Sequence, residues 1–157
     1  MAVALGHAWE WSQAVRLQLE RFRRSGRVSD AYLLVIALRN VLRAARLARD
    51  ELATDAGRAA LDQAITAFEE TLPGVKSARD VLEHFDAYAR GRGGTGKDRG
   101  TLGPYPVTVA GSGDQDGGGW PKRLVLHIGP HPVDLTAAPQ AAAALVHAIH
   151  LAARAEE

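Results

Sequence analysis

The chain has 157 residues, enough for one domain with a hydrophobic core and too few for two full domains. Its 19 basic and 18 acidic residues give a net charge of +1. This charge argues against a protein that coats nucleic acid non-specifically, but not against a local basic site. The absence of cysteine excludes disulfides, thiolate metal sites and cysteine nucleophiles.

The charge is unevenly divided along the chain. Residues 1–100 carry 16 basic and 13 acidic side chains, whereas residues 101–157 carry 3 and 5. The longest apolar run, residues 31–38, is far shorter than a membrane span, and the N-terminal residues lack the basic and apolar regions of a secretory signal. We therefore expect a cytoplasmic protein with no membrane association.

Four amphipathic segments precede residue 91. They cover about residues 8–24, 29–52, 55–72 and 77–90, with predicted N-caps at Ser29, Asp55 and Ser77 and a helix stop at Pro73-Gly74. Asp80 stands three residues after Ser77, at the capping-box position. The short breaks between these segments predict an up-and-down four-helix bundle over residues 8–90.

The composition changes after Arg90. Residues 91–100 are rich in glycine and predict a flexible loop. Strand-like runs over residues 105–110 and 123–128 predict a β-hairpin with a loose tip at 111–119, and a last helix follows from Thr136. The expected fold is mainly α: a single domain, 1–157, with the bundle at 8–90 and a small appended β-hairpin and C-terminal helix at 91–157.

The fourth segment contains an arginine followed by an acid and, five places after the arginine, a histidine: Arg79, Asp80 and His84. An arginine stabilises negative charge on a phosphate, and a histidine exchanges protons near neutral pH. At 100° per residue, Arg79 and His84 project from opposite flanks of the polar face. One chain therefore presents them poorly to a single substrate atom, whereas two such helices packed together in a symmetric dimer would bring the Arg of one copy and the His of the other around one cleft.

This arrangement resembles the Arg-x4-6-His motif of the HEPN superfamily (higher eukaryotes and prokaryotes nucleotide-binding domains), over roughly residues 8–92. The resemblance implies a helical homodimer and a metal-independent ribonuclease that uses no cofactor. Arg79, Asp80 and His84 would be its catalytic residues, an RNA its substrate, and an inhibitory protein a further partner. Regulated members often carry a tyrosine two residues after the histidine, where this chain has Asp86 and the nearest tyrosine is Tyr88. The resemblance therefore does not extend to regulation by tyrosine modification.

Arginines near the motif are candidate RNA contacts. Arg39, Arg43 and Arg46 form a stripe at i, i+4 and i+7 on the second helix, and Arg90 and Arg92 follow the motif helix. A basic run at the end of the first helix, residues 21–27, has two interpretations, as a contact for RNA phosphate or as a solvated helix terminus.

Two other patterns lack the context that their chemistry needs. Residues 91–98 nearly match a phosphate-binding loop, but Asp98 replaces the required Ser or Thr and no strand precedes the segment. His147 and His150 lie one helical turn apart without a nearby acid to complete a metal site. We predict no bound metal.

Two functions remain open on the sequence. The first is a HEPN-like metal-independent endoribonuclease with a composite Arg/His site at a dimer interface. The second is a non-catalytic helical interaction or regulatory subunit, in which Arg79 and His84 occupy an ordinary surface or a dimer seam.

Overall fold

The computed structural model describes residues 1–84, 107–115, 117 and 119–156. The helices are α1 (Ala2–Ser25), α2 (Val28–Glu51), α3 (Asp55–Thr71), α4 (Val75–Glu83) and α5 (Ala138–Arg154), and the strands are β1 (Val107–Gln115), β2 (Pro121–Ile128) and β3 (His131–Asp134). The predicted class, a helical bundle with a small sheet and a C-terminal helix, is confirmed. In the part of the chain that the structure describes, no helix is long and apolar enough to cross a membrane.

The long helices α1 and α2 pack against each other along their length. Gly26 joins them in the left-handed conformation, with φ of +66°, and its N–H donates to the Phe22 carbonyl at 2.7 Å. The predicted starts of both helices were wrong. Helix α1 begins at Ala2 rather than Ala8, and α2 begins at Val28, so that Ser29 lies inside the helix.

Helix α3 is capped by the residue before the predicted one. The Thr54 hydroxyl accepts a hydrogen bond from the Gly57 N–H at 3.1 Å, and the helix ends before the predicted Pro73-Gly74 stop. Its inward face contains Leu61, Ile65 and Phe68, all buried. Asp55 is therefore the first helical residue rather than the cap.

Helix α4 begins two residues before the predicted N-cap. Its N-cap is Gly74, and Ser77 lies within its first turn, so the capping-box interpretation of Ser77 and Asp80 was wrong. A Cβ atom at Gly74 would overlap the carbonyl oxygen of Pro132, because the start of α4 lies directly against β3. The glycine thus sets how closely the motif helix approaches the sheet.

The sheet is antiparallel, in the order β1-β2-β3. Val109 pairs with Leu126 in the predicted hairpin, and Leu126 pairs in turn with Val133 of β3, a strand that was not predicted. The buried side chains of β2 are Leu124, Leu126 and Ile128. Strand β1 continues to Gln115 with an irregularity after Ser112, so residues 111–115 belong to a strand rather than to the predicted loop.

Helix α5 packs against α1, α2 and α3, whereas α4 contacts α2 and β3. The buried residues of α5 are small or aliphatic: Ala138, Ala142, Leu145, Ile149 and Ala152. The fourth long helix beside α1, α2 and α3 is therefore α5. The shorter motif helix lies between α2 and the sheet.

Candidate functional site

Two carboxylates of its own helix hold Arg79. Its Nη1 lies 3.1 Å from Asp80 Oδ1, and its Nη2 pairs with the Glu83 carboxylate one turn further on. The Arg79 side chain is 21% exposed, so part of the guanidinium remains within reach of a ligand. Since these two contacts use one donor nitrogen each, the planar group keeps further N–H donors for an oxyanion.

His84 lies at the C-terminal end of α4 and is exposed. Its backbone N–H donates to the Asp80 carbonyl at 3.1 Å, which fixes the main chain at this position. Within the described residues, its imidazole has no hydrogen bond or ion pair, and the Asp80 carboxylate is directed to Arg79 instead. The imidazole is therefore exposed to solvent, and the Asp80 and His84 side chains are not hydrogen-bonded to each other.

Arg39 of α2 is the least satisfied cation of this region. Its Nε and Nη1 atoms are buried and have no hydrogen-bond partner among the residues described. Burial lowers the pKa of Arg39, and the positive charge of Arg46 lowers it further, followed by smaller contributions from Arg79 and Arg43; Asp80 alone opposes them. A bound anion would stabilise an arginine that is partly buried and lies near other positive charges.

The other two predicted stripe residues differ from each other. Arg46 Nη2 donates to Glu69 Oε1 of α3 at 2.6 Å, so its charge is compensated within the fold. Arg43 is exposed and, in the described part of the chain, has no ion pair. The structure therefore brings Arg39 and Arg43 together as the available cations, on the helix against which α4 packs. Arg90 and Arg92 lie outside the described residues.

A separate apolar groove of about 720 Å³ lies between α1 and α5. Trp9 stands at it with 57% of its surface exposed, and His147 and His150 line its other side. Over residues 1–84, 107–115, 117 and 119–156, no three His, Asp or Glu side chains gather in the manner of a metal site.

No family model, curated protein or solved structure matches this chain. The α2–α4 surface, formed by Arg39, Arg43, Arg79 and His84, presents guanidinium groups that attract an anion and an exposed imidazole.

Proposed function

We propose that the chain is a HEPN-like ribonuclease that cleaves RNA without a metal ion, as a homodimer whose two α4 helices share one cleft. The observation that carries the proposal is the state of Arg39: two of its buried nitrogen atoms have no described partner, and three other arginines act on its charge. A phosphodiester group supplies oxygen acceptors and negative charge to Arg39 and Arg43, which have no ion pair among the described residues.

In this proposal each residue has a role that its side-chain chemistry allows. Arg79 contributes N–H donors to the phosphoryl oxygens as charge builds up on them, and Arg39 and Arg43 hold the neighbouring phosphate of the strand. The His84 imidazole of one copy removes the proton from a ribose 2′-hydroxyl, whose oxygen attacks the adjacent phosphorus. The imidazolium of the other copy gives a proton to the departing 5′-oxygen. The products are a 2′,3′-cyclic phosphate and a 5′-hydroxyl end.

A second copy is needed for geometric reasons. Arg79 and His84 are five residues apart, which corresponds to about 140° around a helix at 100° per residue. One substrate phosphate cannot contact both side chains of one copy equally well. A twofold axis beside α4 supplies the missing group from the partner, and each chain would contribute the same surface. In this proposal the protein acts in the cytoplasm, and an inhibitory protein would cover this surface.

Cleavage in the presence of a chelator tests the proposal. His84→Ala and Arg79→Lys should each lower the cleavage rate of a single-stranded RNA by about a hundredfold or more, since a general base and an oxyanion donor each contribute on that scale. His147→Ala and Arg154→Lys are the matched controls, because both residues are exposed on α5. Wild-type protein that cleaves no member of a broad RNA panel, or variants that retain full activity, would refute the proposal.

The alternative is a non-catalytic interaction subunit. The observation in its favour is that Asp80 and Glu83 already pair with Arg79, so that this cation is compensated in the absence of a ligand. In that case α4 is a charged surface that a protein partner covers. A folded dimer that holds its two His84 side chains far apart, with no shared groove, would support this alternative.

A further inference from the structure

A second basic pocket lies at the turn between α1 and α2. Gly26 reverses the chain there, with a φ of +66° that other residues adopt rarely, and brings Arg27 back beside the last turns of α1. The pocket has a volume of about 330 Å³ and is lined by Arg21, Arg24, Ser25, Arg27 and Asp30. This size is at the lower end of small-molecule sites.

The arginines of this pocket are mostly uncompensated. Arg24 Nη2 lies 3.5 Å from Glu20 Oε2, with both side chains more than half exposed, so the contact is weak. The guanidinium groups of Arg21 and Arg27 have no ion pair or hydrogen bond among the described residues. Three like charges thus surround one cavity, an arrangement that an anionic ligand stabilises.

Asp30, the acid in the pocket, is held in place without using the guanidinium groups of these arginines. The Ser25 hydroxyl donates to Asp30 Oδ2 at 3.0 Å and accepts from the Arg27 N–H at 3.1 Å. Asp30 Oδ1 has no described hydrogen bond. The pocket therefore combines guanidinium donors with one positioned carboxylate acceptor.

We propose that this pocket binds one ribose-phosphate unit of an RNA strand. The phosphate receives N–H donors from Arg21 and Arg27, and the ribose 2′-hydroxyl donates to the free oxygen of Asp30. A 2′-hydroxyl is the group that distinguishes RNA from DNA, and a carboxylate beside a phosphate site recognises it directly. The choice of RNA rests on the proposed function, and the site gives that function a second contact with the strand, distinct from α4.

Binding, measured separately from cleavage, tests the inference. A fluorescent twelve-nucleotide single-stranded RNA is titrated with the full-length His84→Ala protein by anisotropy, at several salt concentrations. Adding Arg21→Ala and Arg27→Ala should weaken binding about tenfold and lower the magnitude of the slope of log K against log salt by about 0.7, since the two arginines share one phosphate and each phosphate contact on a single strand contributes roughly 0.7. The matched control removes two exposed cations elsewhere, Lys122→Ala and Arg154→Ala, and should leave the slope unchanged. An equal loss of RNA affinity in the Arg21/Arg27 and the Lys122/Arg154 double variants would overturn the inference.

The role of Asp30 has its own test. Wild-type protein should bind the RNA more tightly than DNA of the same sequence. Asp30→Ala should reduce the ratio of the DNA Kd to the RNA Kd toward one, and thermal melting checks that the variant is folded. If Asp30→Ala strengthens binding of both polymers equally, the carboxylate only repels phosphate and the ribose contact is refuted. Competition by 5′-AMP as strong as that by the oligonucleotide would identify a free nucleotide as the ligand, and equal competition by polyglutamate would identify a general polyanion surface; either overturns the RNA assignment.

The two proposals fail in different ways. RNA bound at this turn by a protein that cleaves nothing would refute the proposed function and leave the pocket in place. RNA cleavage by wild type, combined with equal binding by the two double variants, would refute the pocket and leave the site on α4.

Discussion

Glu156 accepts two hydrogen bonds from Thr54, one from its backbone N–H and one from its hydroxyl, both at 2.8 Å. The Ala53 N–H donates to the other carboxylate oxygen at 2.7 Å. Since the same Thr54 hydroxyl caps α3, Glu156, the second residue after α5, is hydrogen-bonded directly to the start of α3. These hydrogen bonds lower the pKa of Glu156, and Arg58 adds a smaller effect in the same direction.

We expect Glu156→Gln to lower the melting temperature at neutral pH. The folded-state pKa lies below the ordinary value of 4.5, so the carboxylate stabilises the fold above that pH, and this contribution is lost as the pH falls through the folded-state pKa. The difference in melting temperature between wild type and Glu156→Gln should therefore narrow below pH 4.5. A thermal melt series from pH 7 to pH 3 measures it, and a constant difference would contradict the account.

Gly74→Ala should destabilise the protein by about 1–3 kcal/mol, because the new methyl group would overlap the Pro132 carbonyl and separate α4 from β3. Gly6→Ala is the matched control. Nothing lies within 4 Å of a Cβ at that helical position, and we expect a gain of about 0.5–1 kcal/mol there. Urea unfolding measures both changes. A gain in stability for Gly74→Ala would contradict the close approach of α4 to β3.

Trp120→Phe should destabilise the fold by about 1–2 kcal/mol. The Trp120 indole N–H donates to the Arg23 carbonyl at 2.6 Å, and its ring lies 5.4 Å from that of Phe22. Both contacts attach the sheet to α1. Trp9→Phe, at a side chain that is 57% exposed, should change the free energy of unfolding by less than about 0.5 kcal/mol. Denaturant titrations measure both changes, and equal losses of unfolding free energy in Trp120→Phe and Trp9→Phe would argue against the contact of Trp120 with α1.

Arg39→Met should weaken RNA binding without lowering the stability of the fold. Arg39 is half-buried, and its buried Nε and Nη1 have no hydrogen-bond partner among the described residues. Its replacement by an apolar chain of similar length should leave stability unchanged or raise it by up to about 1 kcal/mol. The same change should weaken RNA binding about tenfold if the α2–α4 surface holds phosphate. Melting temperature and anisotropy on one preparation measure both effects. A large loss of stability would mean that Arg39 is a structural residue.

The sequence was most informative where apolar periodicity was strong. The buried face of α3 follows from Leu61, Ile65 and Phe68 at helical spacing, and Val41 and Leu42 indicate part of the buried face of α2. Leu33 and Leu47, which also support α2 by their spacing, are exposed. The helix starts were predicted less well because several polar residues compete as caps, and tertiary contacts decide between them. Serine is a common N-cap residue, which is why Ser29 was expected to cap α2. In the structure it is Ser25, at the turn of Gly26, that contacts both the Arg27 N–H and Asp30.

Strand β3 and the place of α5 could not be predicted for a different reason. Residues 131–134 are few and include Pro132, and their pairing with β2 is a property of the folded sheet. The alanine-rich pattern of α5 indicates a helix but not its neighbours. The motif residues were found from their spacing, whereas the pairing of Arg79 with Glu83 and the unsatisfied nitrogen atoms of Arg39 required three-dimensional positions.

Helix α5 is the last element of the chain, and from its position we expect it to join the fold after α1 and α2 have paired. Helices α1 and α2 are neighbours in sequence and pair early, since short loops close quickly. The surface of α1, α2 and α3 that receives Leu145 and Ile149 has to wait for a segment made much later. We therefore expect the apolar surface that α5 covers to be exposed on the nascent chain until α5 is synthesised, and to be open to aggregation during that time.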